Sequence, residues 1–402
     1  MLYDPARHEP LCATPWSEPA AIRAIRCIAA DASDRFDPQT LWPSHPRDIE
    51  DGEPTLPMAS LYCGAAGVIW ALRHLCRSGA VSLDIDFRAC IASLVEHNRR
   101  FNRAAGIDAH SYLLGDAGVL LLAWQATRSP DVAGSLFDLV EANLLNPTCD
   151  FLWGSPGTMV AALHMWEATR EAHWLALFRR AADLLHDQMH RAAGFDDTWI
   201  WTQALWGKQW LHLGAGHGLA GNMFPFVRGA EWLPSTFVAQ MAARATQVFR
   251  ATARTEQGMT NWEPVLDPAA AGLPSKPVVQ DCHGAPGIIC RLAGFDSPEL
   301  QALLRQGGEM VWAAGPLNKG PGLCHGTAGN GYAFLKLHAV TGQAVWLERA
   351  RAFAMHALVQ SDGEAAQHGQ RRFSLWTGDL GVAVYLWSCV TADAALPTLD
   401  FF

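Results

Sequence analysis

A four-residue phrase, Gly-x-x-Gly, recurs seven times along the chain, and an apolar run of about ten to fifteen residues follows each copy. The first glycines of the copies are Gly64, Gly115, Gly154, Gly218, Gly284, Gly326 and Gly378. Neighbouring copies lie between 39 residues (Gly115 to Gly154) and 66 residues (Gly218 to Gly284) apart. Internal repetition at this spacing indicates one repeated supersecondary unit rather than a set of unrelated domains.

Each unit is predicted to be a pair of helices. The runs after the glycine phrases, such as 68–72 and 119–124, are apolar nearly all round, which is typical of a buried inner helix. A second, amphipathic helix fits between one phrase and the next. These outer partners are predicted at Asp86–His97, Val132–Asn143, Trp174–Met189, Thr236–Ala253, Leu300–Trp312 and Val345–Val359.

The predicted fold is all-α: an α/α toroid in which seven inner helices stand inside seven outer ones. Glycine permits positive φ and close approach of two backbones, so the phrases would form tight turns that line one end of the ring. An open solenoid is the alternative. Solenoids usually end in atypical repeats, whereas the phrases around Gly64 and Gly378 are full copies, and this favours closure.

The repeats also divide the chain. Residues 58–402 are predicted to form a single toroid domain, and residues 1–57 an N-terminal lead-in segment. Two helical pieces are expected in that segment, around 20–28 and 38–41, followed by a proline-rich loop over 43–57.

Composition narrows the function classes. Half of the 402 residues are apolar and 17% are charged, so the chain can bury a large core. A net charge of −9 without a basic run argues against nucleic acid as a partner. No apolar run reaches the roughly 18 residues of a membrane span. The start of the chain lacks a secretory apolar core, and ten cysteines are too few for a disulfide framework, so a cytoplasmic protein is expected.

Two of the glycine phrases carry a Cys-His pair directly in front of them, within 281–287 and 322–330. Thiolate and imidazole are the side chains that bind zinc, and one such turn needs a second element to complete a metal cage. A single Cys-His pair is more often a buried thiol beside a polar loop residue. Two pairs in the same frame favour a shared metal site.

The sequences of three turns resemble the signature turns of lanthionine synthetase C-like proteins: 216–222, 282–287 and 322–330. The resemblance extends over all seven phrases, from about residue 60 to the end, and includes 373–375. It is closest to the glutathione-binding, eukaryotic-type branch. The bacteriocin cyclases usually have Tyr where this chain has His283.

The resemblance implies a zinc ion bound by Cys282, Cys324 and His325. Three protein ligands leave a fourth tetrahedral position open, as in catalytic rather than structural zinc sites. A thiol that enters there would be deprotonated, which generates a nucleophile at neutral pH.

The same resemblance suggests three catalytic residues. His217 would protonate the enolate that forms when a thiolate adds to a dehydroamino acid. Asp150 occupies the family's acidic position and would take the thiol proton or orient the site, unless it is only a helix N-cap. His283 is an acid/base or supporting candidate, unless it only hydrogen-bonds its own turn.

Substrate-binding candidates are cationic. Lys319 resembles the family's glutathione-contacting lysine, and Arg371 and Arg372 would add positive charge for an anionic tripeptide or would simply be solvated. A different enzyme class, an α/α-barrel glycosidase, would use two acids from among Asp116, Asp379 and Glu263. That class has no need of the two Cys-His turns.

The expected activity is zinc-dependent addition of glutathione to a dehydroalanine or dehydrobutyrine residue of a peptide or protein. Two alternatives stay open: a cyclase whose thiol is a Cys of the same peptide, and a non-catalytic scaffold that binds zinc and glutathione. Two long connections, 196–216 and 255–279, are either binding segments or surface excursions.

Overall fold

A computed structural model describes residues 1–49, 56–195, 198–275 and 277–402. Part of the predicted proline-rich loop (50–55), the start of the first long connection (196–197) and residue 276 of the second lie outside the described residues.

Helices make up most of the described chain. In chain order they are α1 (Glu18–Asp34), α2 (Ala65–Arg77), α3 (Arg88–Ala105), α4 (Asp116–Thr127), α5 (Pro130–Ala142), α6 (Ser155–Thr169), α7 (Ala172–Asp187), α8 (Leu219–Arg228), α9 (Ser235–Thr252), α10 (Ala285–Leu292), α11 (Pro298–Ala314), α12 (Thr327–Thr341), α13 (Ala344–His368) and α14 (Asp379–Thr391). The even-numbered helices are the predicted inner ones, and each begins directly after the first glycine of a phrase.

The inner helices form a closed ring. Each even-numbered helix packs against the next, and α14 packs against α2. The odd-numbered helices lie outside and pack against the inner helices. The predicted α/α toroid of seven inner and seven outer helices is therefore confirmed, and the open solenoid is not formed.

The seventh outer helix comes from the opposite end of the chain. Helix α1 packs against α14, and its buried face, which includes Ala21, Ile25 and Ile28, covers the last inner helix. The segment predicted as an N-terminal lead-in thus contributes a helix to the toroid. The piece expected around 38–41 is a turn instead of a helix, because the Asp37 carboxylate accepts hydrogen bonds from the backbone N–H groups of Gln39 and Thr40.

The glycine phrases are required by close backbone contact. A Cβ atom on the second glycine of a phrase would lie too close to the carbonyl oxygen of the residue six positions earlier: 2.3 Å for Gly157 and 1.7 Å for Gly287. Positive φ, which the sequence pattern also suggested, is found among the first glycines only at Gly284 (φ 100°). Because the second glycine has no Cβ, the start of an inner helix can pack directly against the turn that precedes it.

The turns in front of the inner helices are joined in a circle of hydrogen bonds. It links the seven residues that lie two positions before each first glycine, with help from one hydroxyl group. The bonds run from Tyr62 N to Leu113 O, from Ser111 Oγ to Leu152 O, from Leu152 N to Gly216 O, from Gly216 N to Cys282 O, from Cys282 N to Cys324 O, from Cys324 N to Trp376 O and from Trp376 N to Tyr62 O, at 2.6–3.2 Å. We call this circle the rim.

The two long connections fold into short antiparallel hairpins. In and just before the first, β1 (His190–Arg191) pairs with β2 (Trp199–Ile200), and β3 (Gln203–Leu205) pairs with β4 (Lys208–Trp210). At the start of the second, β5 (Arg254–Glu256) pairs with β6 (Met259–Asn261). A search of the described ranges finds no helix with the length and apolar character needed to cross a membrane.

Substituting Gly157→Ala is expected to lower the free energy of unfolding by about 1–3 kcal/mol, because the new Cβ would overlap the carbonyl oxygen of Phe151. Gly134→Ala is the matched control. Gly134 lies within an outer helix with no atom near a Cβ position, so alanine there should add about 0.5–1 kcal/mol. Chemical denaturation measures both, and equal effects would contradict the close-packing account.

Candidate metal centre and histidine cluster

Cys282, Cys324 and His325 meet at the rim. One ligand atom from each, the two Sγ atoms and a ring nitrogen, lies within 4.8 Å of the other two. Both cysteines occupy the same position of their repeats, and the backbone bond from Cys282 N to Cys324 O (3.1 Å) sets the two turns side by side. The structure therefore brings the three predicted ligands together.

The two thiols are hydrogen-bonded to each other and have further polar neighbours. A hydrogen bond from Cys324 lowers the pKa of Cys282 well below its ordinary value, and the same bond raises the pKa of Cys324. Gln280 Nε2 also donates to Cys282 Sγ at 3.0 Å, and Tyr62 hydrogen-bonds the Cys324 sulfur. Sequence reasoning did not identify Gln280 or Tyr62, because neither belongs to a metal-ligand pattern.

The three side chains fit a tetrahedral metal ion. Bonds of about 2.0–2.3 Å from such an ion separate its ligand atoms by roughly 3.5 Å, and the observed spread of up to 4.8 Å needs only small side-chain rotations. Two sulfurs and one imidazole nitrogen leave a fourth position for an external ligand.

A buried ion pair braces the turn that carries Cys282. Arg291 on α10 binds Asp281 through both guanidinium ends, with contacts of 2.9 and 3.2 Å, and both side chains are buried. Burial raises the pKa of Asp281, while the charge of Arg291 opposes that shift. A bidentate pair of this kind fixes the backbone direction just before the ligand.

Asp150 and His217 form a hydrogen-bonded pair beside the same rim. The Nδ1 atom of His217 lies 2.6 Å from Oδ2 of Asp150, which is fully buried. Oδ1 of Asp150 accepts the backbone N–H groups of Trp153 and Gly154. Asp150 thus both anchors its turn and holds the ring of His217. A carboxylate can only accept, so Nδ1 donates and Nε2 of His217 is left for proton exchange.

Burial raises the pKa of Asp150 above its ordinary value, although the hydrogen bond from His217 and the charge of that residue act in the opposite direction. The His217 side chain is 15% exposed, which leaves one edge of the ring accessible from the end of the toroid. The pair therefore combines a buried carboxylate, which orients the ring, with an imidazole that is accessible to solvent.

His217 belongs to a cluster of three histidines. Its ring centroid is 6.0 Å from those of His212 and His283, which are 5.7 Å from each other. Burial, together with the charges of the other two rings, lowers the pKa of His212 to about 3, so His212 is neutral at neutral pH. Burial also lowers the pKa of His283.

His283 does not use Nδ1 to hold its own turn. That nitrogen is buried and has no hydrogen-bond partner among the described residues, and the same is true of Nε2 of His212. His212 escaped the sequence analysis because it precedes the glycine phrase by six residues, outside the recurring frame. The folded structure identifies it through a backbone contact: the N–H of His212 donates to the buried Gln203 side chain at 2.8 Å.

Lys319 lies on a cleft of about 490 Å³ that reaches His325. Arg47, Arg372 and one carboxylate, Asp48, also line this cleft, which is therefore bordered by three cations and one anion. Arg47 binds the carbonyl oxygen of Lys319 and the Glu364 carboxylate. Lys319 itself is exposed.

The two predicted arginines have different surroundings. Arg372 lines the cleft but is paired with Asp48. Arg371 is directed to Ser361 and Asp362, at 2.9 Å each, on the outer helix α13. Arg371 is thus held by structural partners. Of the two arginines only Arg372 lines the cleft, where its charge is offset by Asp48.

The acids considered for a glycosidase all serve other contacts. Asp116 binds Arg99 at 2.8 Å, Glu263 binds Arg254 at 2.6 Å, and Asp379 accepts from Ser361 and from the backbone N–H of Arg372. Burial raises the pKa of Asp379 to about 6. These carboxylates hold helix starts and a hairpin rather than flank a common substrate.

Comparison with known proteins agrees with this geometry. The family profile described as lanthionine synthetase C-like protein matches residues 47–401. The chain is 36% identical over 128 residues to LanC-like protein GCL1 of Arabidopsis thaliana, which covers 30% of this chain and 29% of that protein. It is 38% identical over 117 residues to glutathione S-transferase LANCL1 of Danio rerio, covering 27% of this chain and 28% of that protein.

The matched segments thus span less than a third of either curated relative. Among solved structures, nisin cyclase superposes with a TM-score of 0.61 at 15% identity, over 91% of this chain and 93% of that chain. At this identity the likeness concerns the fold alone.

Substituting Cys324→Ala is expected to abolish stoichiometric metal binding, because only two of the three clustered ligands would remain. Elemental analysis of the purified protein measures the metal content. Cys63→Ala and Cys389→Ala are controls that remove thiols outside the cluster and should keep one ion per chain. Full metal retention by Cys324→Ala would refute the ligand assignment.

Proposed function

The chain belongs to the lanthionine synthetase C-like family, and from this premise we propose that it adds a thiol to a dehydrated Ser or Thr residue of a peptide or protein. The product is a thioether. The preferred thiol is glutathione, and Cys282, Cys324 and His325 hold the zinc ion on which the reaction depends.

One observation carries the proposal: the metal-ligand cluster and the His217–Asp150 pair lie on adjacent turns of one rim. The backbone bond from Gly216 N to Cys282 O (3.1 Å) joins the turn of His217 to the turn of Cys282. The ring of His283, next to Cys282 in sequence, lies 6.0 Å from that of His217. A thiol at the cluster and a proton donor at His217 can therefore act on one small group.

The donor set supports zinc as the metal, since two thiolates and an imidazole with an open fourth position are typical of catalytic zinc. Zinc held there would favour the thiolate form of an incoming thiol at neutral pH.

The protein residues account for the protons. The thiolate sulfur forms a bond to Cβ of the dehydroamino acid, and the electron pair of the C=C bond moves to an enolate. Nε2 of His217 accepts the proton that the thiol loses and then delivers it to Cα, so that the net reaction adds S–H across the double bond. Both carboxylate oxygens of Asp150 are engaged, which favours an orienting role for Asp150 over a direct proton transfer.

The cleft beside His325 supports an anionic thiol as the nucleophile. Glutathione carries a net negative charge at neutral pH, and Lys319, Arg47 and Arg372 line the cleft. His325 belongs both to the cleft and to the metal-ligand cluster, so a ligand bound among these cations would have its thiol near the metal. The name of the Danio rerio relative, glutathione S-transferase, agrees with this choice.

The reaction is tested by incubating the metal-loaded protein with glutathione and a dehydrobutyrine peptide, with intact mass as the readout. Addition of one glutathione per dehydrobutyrine is expected. Absence of any adduct, with zinc bound, would favour the scaffold alternative. Ring closure in a Cys-containing dehydropeptide without added glutathione would favour the cyclase.

The substitution His217→Asn is expected to lower the rate of addition by roughly two to four orders of magnitude, the usual contribution of a positioned acid or base. Zinc content and melting temperature should stay unchanged, because Asn keeps a donor for Asp150 and His217 is not a ligand. Single-turnover kinetics of adduct formation measures the rate. An unchanged rate would remove His217 from the mechanism.

The substitution Lys319→Ala is expected to raise the apparent Michaelis constant for glutathione by roughly 5- to 30-fold, the effect of losing about 1–2 kcal/mol of charge-assisted binding. Turnover at saturation and zinc content should change little. Arg35→Ala, which removes an exposed cation at the end of α1, serves as the charge-matched control. Equal kinetics of both variants would contradict the glutathione site.

A further inference from the structure

The turn that connects β3 and β4 has an unusual first residue. Trp206 and Gly207 form its two-residue loop, and both have positive φ, 52° and 71°. Asn or Asp normally takes the first of these positions, since a bulky side chain is strained there. The indole is also 66% exposed, so burial gives no reason for a tryptophan.

The tip of this hairpin lies over the histidine cluster. The Trp206 ring centroid is 5.2 Å from that of His217, at an interplanar angle of 74°, and 6.2 Å from that of His212. Trp210 on the second strand stacks on His212 at 5.3 Å. One part of the Trp206 ring thus contacts the proposed proton donor, while most of its surface faces solvent.

The base of the hairpin is held in place. The backbone N–H of Ala204 donates to the carbonyl oxygen of Pro147, in the segment that leads to Asp150, at 3.1 Å. Gln203 is fully buried and accepts the N–H of His212. The indole is therefore presented at a fixed position beside His217 and Asp150 rather than on a free loop.

The hairpin and the cationic cleft lie at different parts of the rim. The cleft is lined by residues such as Tyr62, His325 and Thr377, which precede α2, α12 and α14. The hairpin precedes α8, which lies across the inner ring from these helices. A thiol bound in the cleft leaves the side of His217 open to the second substrate.

We propose that Trp206 binds the acceptor polypeptide, packing its exposed indole face against the backbone and an apolar side chain next to the dehydrated residue. The contact would hold Cα of that residue against His217. This inference rests on the proposed function and extends it, because it assigns the acceptor to the hairpin side. The acceptor class is an extended polypeptide with an apolar neighbour, since a single dehydroamino acid offers too little surface to cover the indole.

Two variants, Trp206→Gly and Trp206→Asn, test the role without endangering the fold. Both residues accept the left-handed conformation of this turn, so the melting temperature should stay the same or rise. The apparent Michaelis constant for a dehydrobutyrine peptide with a Leu or Phe neighbour should rise about 5- to 30-fold, as for the loss of an aromatic contact at a binding site. The constant for glutathione, the turnover at saturation and the zinc content should not change.

A small acceptor provides the internal comparison. N-acetyl-dehydroalanine methyl ester cannot span the indole, so the wild type and both variants should convert it at equal rates. Val340→Ala, which truncates an exposed apolar side chain near the C-terminal end of α12, is the control for loss of exposed apolar surface and should behave as the wild type.

An unchanged peptide constant in both variants, with wild-type addition intact, would overturn the role of Trp206 and leave the proposed function standing. A fall in melting temperature would also overturn it, by showing that the indole is structural. Absence of addition by the wild-type protein would overturn the proposed function and, with it, the acceptor site.

Discussion

The rim of hydrogen bonds is the constraint on which the site depends. It joins the same position of all seven repeats, two residues before the first glycine of each phrase, and so fixes which side chains become neighbours. Cys282 and Cys324 hold this position in adjacent repeats, and the backbone bond between them brings their sulfurs together. The ligand cluster is therefore a consequence of the packing of adjacent repeats rather than of a local loop motif.

The position one residue later carries the imidazoles. His217, His283 and His325 occupy it in three consecutive repeats, so the ring aligns a candidate metal ligand, a histidine whose pKa is lowered by burial and the partner of Asp150 along one arc. The proposed thiol activation and proton delivery need different environments, and different repeats along this arc provide them. The His325 end of the arc borders the cleft that Lys319 lines, whereas the His217 end contacts Trp206 at the tip of the β3–β4 hairpin.

Much of this arrangement could be predicted from the sequence, because periodicity directly encodes the repeat. Seven copies of Gly-x-x-Gly predicted the toroid, two Cys-His turns in the same frame predicted a shared metal site, and the family resemblance implied which three side chains would form it. Other features depend on tertiary contacts. The pairing of α1 with α14 joins chain ends about as far apart as the sequence allows, and the Asp37 side chain turned a short helical pattern at 38–41 into a turn. His212 and Trp206 lie in a connection without periodicity, so only the folded hairpin shows that they face His217.

The central claim is that one rim activates the thiol and delivers a proton from a fixed side, through Nε2 of His217. The most direct measurement is the configuration at Cα of the thioether formed from glutathione and a dehydrobutyrine peptide, determined by chromatography of the hydrolysed product against both diastereomers. The account predicts a single configuration at Cα with the wild-type protein. The same mixture as in the uncatalysed addition would contradict it.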